Sequence, residues 1–473
     1  MKVRRAGTLR LKSVIVEFLK KLHTVFMYPI DRFRAALKIP TYWPSGALPG
    51  DSAAEAVLQR FQDFLVENYP AFHQAARRRV LSPYSVLYRW PGTGDTSGGA
   101  DNGPVLILAH YDVVPAESEK WNSDPFGAEM KDGYIYGRGS LDMKNILIDI
   151  MEAAEELCIA GFRPKRDIWF GFGGDEERTG VLGAGEAAKW FAGQGQHFAW
   201  VLDEGTPIGE DQIRGVSKPL ALVSIEEKGY LTLDLSVAQE PGHASRPPAT
   251  QAAAVLGRAL CRIAARPFPY NLTATVESFF KQVSNLAPFP QSFVMRHARS
   301  FGPLFFMAAG TNPTAVSMLR TTVAMTQLRG SAAENVMPSE AHAIINLRLL
   351  EPWTVESAKS FIKKAVNDKQ VQIKIHSPAC EPVPAKWSFQ SSGWKKIETA
   401  VAQVWPGVPI LPFIMVAMTD SRHFAELTDG IFRFNPYKLS PKDLDGIHSH
   451  DERISEENFM NGLRFYTKLL EIL

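Results

Sequence analysis

The chain has 473 residues, 45% hydrophobic and 22% charged, and a formal net charge of only +2. That length exceeds what one hydrophobic core usually serves, so two domains are expected in an ordinary soluble globular protein. The near-neutral balance argues against nucleic acid or an acidic polymer as partner.

At the amino terminus Lys2, Arg4, Arg5, Arg10 and Lys12 precede any acidic residue, and a partly apolar stretch over 11–30 is interrupted by Glu17, Lys20 and Lys21. It is neither an uncharged span of about 20 residues nor a clean signal-peptide core. Residues 1–32 read either as a basic amphipathic helix touching a membrane surface or as a solvated helix packed on the next domain, the second favoured. From 33 to 220, apolar strand-like runs at 105–108, 168–172 and 200–202 alternate with helical stretches such as 145–160, the pattern of an α/β parallel sheet. The glycine-rich stretch 92–103 reads as a loop. Cys158, Cys261 and Cys380 lie far apart without paired spacing, which fits a reducing, cytoplasmic setting.

From 221 to 378 the rhythm changes. Strand-like "YLTLDLSVA", helical "TQAAAVLGRALCRIAA", strand-like "AHAIINLRLL", a helix over 355–366 and strand-like "VQIKIHS" predict an α+β domain inserted into the first. The Phe- and Pro-rich segment 267–319 reads as an irregular or helical elaboration. From 379 to 473 the α/β pattern resumes, with a helix near 394–404 and an apolar run over 408–416.

The chemistry gathers at strand ends. In "VLILAHYDVVP", His110 and Asp112 stand two apart and share a face of the strand end. The carboxyl ends of parallel strands are where α/β proteins build sites. In "GRGSLDMKN", Asp142 precedes a helix, where capping is the ordinary role. The buried run "IWFGFGGDEE" ends in Asp175, Glu176 and Glu177, "FAWVLDEG" ends in Asp203 and Glu204, and "DGIHSHDE" supplies His448 and His450. Clustered carboxylates repel one another unless a cation sits among them. Imidazoles and carboxylates without cysteine suit zinc, with cobalt or manganese as substitutes. Two imidazoles and three carboxylates are enough for two ions sharing one aspartate, with a glutamate left over as general base.

Taken in order, "HYDVVP", "GRGSLDMK", "DEE", "LDEG", "PGHASRPP", "NVMPSEAHAIINLR" and "IHSHDE" resemble the motifs of the dinuclear zinc amidohydrolases. That family includes aminoacylase, carboxypeptidase S, glutamate carboxypeptidase, acetylornithine deacetylase and succinyl-diaminopimelate desuccinylase. The insert, with "LRTTVAMTQLRGSAAENVMP", is most similar to the carboxypeptidase S and N-fatty-acyl amino acid hydrolase branch. The resemblance implies an α/β zinc-peptidase catalytic domain with a central, mostly parallel sheet, and an inserted ferredoxin-like α+β lid or dimerisation domain. It implies two Zn2+ ions, with His110 a ligand of one, oriented by Asp112. Asp142 is the implied bridge, followed by a cis peptide to Met143; Glu177 and His448 are the implied ligands of the second ion, and His450 a neighbour. Glu176 is the implied general base. The remaining carboxylate falls on Asp203 or Glu204, with Glu204 favoured because it immediately precedes the glycine turn. His243 is implied to reach the scissile carbonyl, often from the partner of a homodimer, while Asn335 and Arg348 bind the substrate's carboxylate or carbonyl. Arg422 shares that task or forms a structural salt bridge.

The implied reaction is hydrolysis of an amide next to a free carboxylate, in an N-acyl amino acid or a short peptide. The Phe- and Met-rich "SFVMRHARSFGPLFFMAAG" reads as acyl-pocket lining or core packing. A non-catalytic metal-containing binding protein on the same fold is the alternative; loss of Glu176 or of a ligand would have favoured it, and none is lost.

Overall fold

Strands β1 (Arg77–Ser82), β2 (Ser85–Trp90) and β3 (Val105–His110) are followed by a small hairpin, β4 (Glu129–Lys131) and β5 (Tyr134–Tyr136), then β6 (Ile168–Gly173), β7 (Trp200–Gly209) and β8 (Leu220–Glu227). The inserted segment contributes β9 (Gly229–Ala238), β10 (Gly242–His243), β11 (Thr322–Arg329), β12 (Val336–Met337), β13 (Glu340–Leu349) and β14 (Gln372–Ile375). Strands β15 (Ile410–Met415), β16 (Ile431–Leu439) and β17 (Arg453–Ser455) follow. The computed structural model describes residues 28–44, 48–94, 103–210, 213, 215–310 and 312–473. Most of the 1–32 segment and of the 92–103 loop therefore lies outside the described residues.

Eight strands form one mixed sheet in the order β1-β2-β6-β3-β7-β16-β8-β15. Its centre is parallel: β3 pairs with β6 and β7, and β7 with β16. Every residue of β3 and β6 is buried, as expected where helices cover both faces of a parallel sheet. Val105 and Ile107 face helices Lys144–Ile159 and Glu456–Glu471. Leu106 and Leu108 face helix Ala184–Gly193 and Phe424. Helix Pro29–Leu37 belongs to the first of these cores, with Phe33 stacked on Phe459 at 4.4 Å and Arg32 paired with Glu152.

The insert forms a four-stranded antiparallel sheet, β11-β13-β9-β14, with helices Ala252–Ala265 and Val355–Val366 in its core beside Leu231, Leu233, Ile345 and Leu347. This β-α-β-β-α-β order is ferredoxin-like, as expected. The boundary expected at 220/221 moves, because β8 pairs in parallel with β15 in the large sheet and is buried throughout. Only Lys228 separates β8 from β9. The return passage is marked by bridges from Tyr230 to Cys380 and from Glu227 to Val383. The helical elaboration packs on the large sheet rather than on the insert's own: Phe279, Phe280 and Phe305 share a core with Leu222, Leu411 and Phe413. Among the described residues no helix is long and apolar enough to cross a membrane, and the three cysteines are free.

Lys228 donates to Ser317 O at 2.9 Å and Arg320 O at 2.8 Å. Burial, then the Arg348 charge, pushes its ammonium down to about 7. An unfolded lysine keeps its proton to about pH 10.4. Between pH 7 and pH 9 the unfolded chain therefore holds a proton that the fold has shed, and stability rises with pH by about 2 kcal/mol from this group. Urea unfolding at the two pH values checks it; that increment should be missing in Lys228→Met.

Candidate metal centre

β3, β6 and β7 run parallel, so their carboxyl-terminal halves open on one side, and there the expected ligands meet. His110 closes β3; its Nε2 lies 3.1 Å from Asp142 Oδ1, 3.4 Å from Glu204 Oε1 and 3.9 Å from Glu176 Oε2. His448 Nε2 lies 3.0 Å from Asp142 Oδ2 and 3.2 Å from Glu177. The two oxygens of Asp142 thus face one imidazole each. Two clusters result, His110 with Glu176 and Glu204, and Asp142 with Glu177 and His448. The peptide between Asp142 and Met143 is cis, as the resemblance implied.

Asp112, fully buried, holds this arrangement from behind. Its two oxygens accept from Glu176 N and Glu177 N, each at 3.1 Å, and Oδ1 lies 3.5 Å from His110 Nδ1. Asp112 therefore orients the imidazole mainly through its backbone carbonyl, 3.0 Å from His110 Nδ1, and the backbone of both glutamates through its carboxylate.

A bulge separates Asp203 from Glu204 in space. Asp203 pairs with Arg433 in the β7–β16 ladder, but the next pair is Thr206 with Phe434, so Glu204 and Gly205 have no partners. Such an insertion re-aims a side chain. Glu204 turns toward His110, whereas Asp203 turns away, accepting from Glu204 N at 2.9 Å and Ser421 N at 2.7 Å. A Cβ at Gly205 would stand 2.2 Å from Arg433 C, so the bulge requires glycine. Asp175 is likewise drawn away, capping Leu182 N and Gly183 N.

The electrostatics are those of crowded acids. Burial, then Asp142, pushes the Glu204 carboxyl up to about 8 and that of Glu177 up to about 7. Glu176 is driven well above the carboxylate range by burial, with Glu204, Asp420 and Glu177 adding to it against His110. Burial works the other way for Asp142, yet His110 and His448 hold it low, and Asp142 and Glu177 raise His448 to about 10. All six groups offer oxygen or imidazole nitrogen and none offers sulfur, so the set fits divalent cations that accept both.

The residues expected on the insert sit apart from this cluster. His243 is exposed on the β10–β12 ribbon opposite Val336, its Nδ1 accepting from Ser245 N, and Ala244 N donates to Asn335 O. His243 and Asn335 are thus neighbours of each other. Arg348 stacks its guanidinium 4.9 Å over Tyr230 at the passage between the sheets. Arg422 forms no salt bridge among the described residues; it donates to Thr419 O at 2.8 Å and to Thr179 O. Burial opposes its charge, but Asp420, Glu227 and Glu176 sustain it.

A further acid of "IHSHDE", not expected from the sequence, supports the site. Glu452, fully buried, accepts from Arg138 Nη1 at 2.6 Å, Leu141 N at 2.7 Å, Gly139 N at 3.1 Å and Asp142 N at 3.2 Å. It fastens the turn of Asp142 to the loop of His448. Glu452→Gln leaves Arg138, 3% exposed, without its counter-charge, and is expected to cost about 3 kcal/mol or more. Chemical denaturation together with metal content per chain checks both the stability and the second cluster.

The likeness to known proteins agrees with the geometry. The chain is 32% identical over 465 residues to the N-fatty-acyl-amino acid synthase/hydrolase PM20D1 of Xenopus tropicalis, covering 98% of this chain and 88% of that protein. It is 34% identical over 415 residues to the probable carboxypeptidase S-like 2 of Dictyostelium discoideum, covering 87% and 79%. The fold is shared with the M20 family metallo-carboxypeptidase Sso-CP2 of Sulfolobus solfataricus, with a TM-score of 0.70 at 14% identity over 94% of this chain and 99% of that one. Human carnosine dipeptidase 1 follows at a TM-score of 0.65 and 16% identity, covering 96% and 97%. With residues 106–472 matching its profile as well, the chain belongs to the Peptidase family M20/M25/M40.

Proposed function

We propose that the protein hydrolyses an amide bond next to a free carboxylate, in an N-acyl amino acid or at the carboxyl end of a short peptide. The observation that carries this is Asp142, whose oxygens stand 3.1 Å from His110 and 3.0 Å from His448. His110, Asp142 and Glu204 would hold one Zn2+, and Asp142, Glu177 and His448 the other. When bound, such ions polarise an amide carbonyl and make water acidic enough to attack at neutral pH.

Glu176 is the general base. Its carboxylate is the farthest of the three from His110 Nε2, which leaves it able to take a proton from water and return it to the departing nitrogen. Arg348 and Arg422 offer guanidinium forks for the substrate carboxylate. His243 and Asn335, exposed together on the insert, meet the scissile carbonyl when the insert closes or when a partner subunit supplies them. Exclusion of water by that closure strengthens each of these contacts.

The test is release of free amino acid by the zinc-loaded protein from a panel of N-acyl amino acids and dipeptides, repeated after chelation. Turnover that is lost on chelation and restored by zinc is expected, and the preferred member separates the acyl from the peptide substrates. Full metal occupancy without turnover on any member would favour a binding protein.

A further inference from the structure

The passage between the two sheets is narrow. β8 enters β9 through Lys228 alone, and the return chain lies beside it, with Tyr230 and Cys380 exchanging backbone hydrogen bonds at 3.0 Å. A Cβ on Gly229 would stand 2.6 Å from Cys380 O, so only glycine lets the two segments pass this closely. Rotation of the insert has to be absorbed here, as at any hinge made of a few element-terminal residues.

Glu227 ends β8 at this passage with its side chain turned into the large sheet, 1% exposed. Its Oε2 lies 2.7 Å from Nε of Arg433, which is 0% exposed. Thr419 donates to the same carboxylate from N at 3.3 Å and Oγ1 at 3.0 Å, and its hydroxyl accepts from Arg433 Nε at 3.1 Å. The hydroxyls of Thr419 and Ser421 lie 2.7 Å apart, Ser421 N donates to Asp203, and Asp203 accepts from Glu204 N. A buried chain of polar contacts therefore leads from the hinge to the backbone of a proposed metal ligand. Arg433 also stands opposite Asp203 in the β7–β16 ladder.

Arg433 uses only Nε in this chain; Nη1 and Nη2, both buried, have no hydrogen-bond partner among the described residues. Guanidinium carries five donors in a rigid plane. The two unpartnered Nη groups leave the guanidinium able to keep Glu227 paired through one donor or another should the end of β8 shift as the hinge turns.

We propose that Arg433 is a positioning residue: it keeps Glu227 paired as the hinge turns and, through Thr419 and Ser421, holds the strand that carries Asp203 and Glu204 in step with the insert. This rests on the amide-hydrolase reading above. The test uses the full-length, zinc-loaded protein with Arg433→Lys and Thr419→Val, measuring kcat, KM, zinc per chain and thermal midpoint on the substrate that wild type cleaves best. In both variants kcat falls about tenfold or more, while KM stays within about twofold and zinc content is unchanged. Unchanged kcat per zinc-loaded chain, with only a lower midpoint, would mean a purely structural role and overturns the proposal. Should Arg433→Lys fail to fold, Thr419→Val, which removes one hydroxyl, decides alone. A wild type inactive on every substrate overturns the amide-hydrolase reading, and this inference with it.

Discussion

Glu176→Gln is expected to lower turnover by about 10²- to 10⁴-fold, the range that a positioned general base contributes, with metal still bound. The substitution is nearly isosteric and leaves the backbone amide free to donate to Asp112 as before, at 3.1 Å. Glu204 remains 3.4 Å from His110 and Asp142 remains between the imidazoles. Metal content and stability should therefore stay near wild type, because what is lost is a site for a proton in transit. Steady-state kinetics with metal analysis on the same sample checks it. Lost turnover together with lost metal would make Glu176 a ligand; retained turnover would move the base elsewhere, with Glu204 the nearest alternative.

Asp142→Ala is expected to weaken both ions together, by at least about 100-fold each, more than loss of an outer-shell partner usually costs. Among the described residues no other carboxylate lies within hydrogen-bonding distance of both His110 and His448. Removal leaves His110 with Glu204 and Glu176, and His448 with Glu177 alone, so neither cluster keeps its carboxylate bridge. The His448 imidazolium, raised first by its contact with Asp142, should titrate at lower pH in the metal-free variant. Zinc titration against a competing chelator checks the affinities, and the ring-proton chemical shifts of His448 check the pKa. Loss of one equivalent with the other held at wild-type affinity would show that the two clusters do not share this residue.

Much of this site was legible in the sequence because buried runs that end in acid are conspicuous. "VLILAH" and "IWFGFG" contain nothing that would put a charge at their ends for solubility, so His110, Glu176 and Glu177 stood out. The choice between Asp203 and Glu204 was not legible, since it depends on a bulge set by close approach of Gly205 to Arg433, more than 200 residues along the chain. Glu452 was hidden by its surroundings: an acidic pair after a histidine looks like solvated surface, and its burial exists only once the turn of Asp142 is beneath it. Strand β11 went unread because six of its eight residues are exposed, which erases the alternation that marks a half-buried strand. β8 was not read as a strand at all, and an apolar run such as 220–225 does not say which of two sheets it will join.

The tie between Glu452 and the turn of Asp142 has a consequence for the order in which the enzyme comes into being. These residues are 310 positions apart, and chains emerge from the ribosome at about 5–20 residues per second. For tens of seconds a nascent chain exposes Asp142, Glu176 and Glu177 without His448 to complete their cluster. On the proposed assignment of these ligands, the bond-cutting apparatus does not exist in working form until the later segment docks, and the protein spends its synthesis unable to act on amides around it.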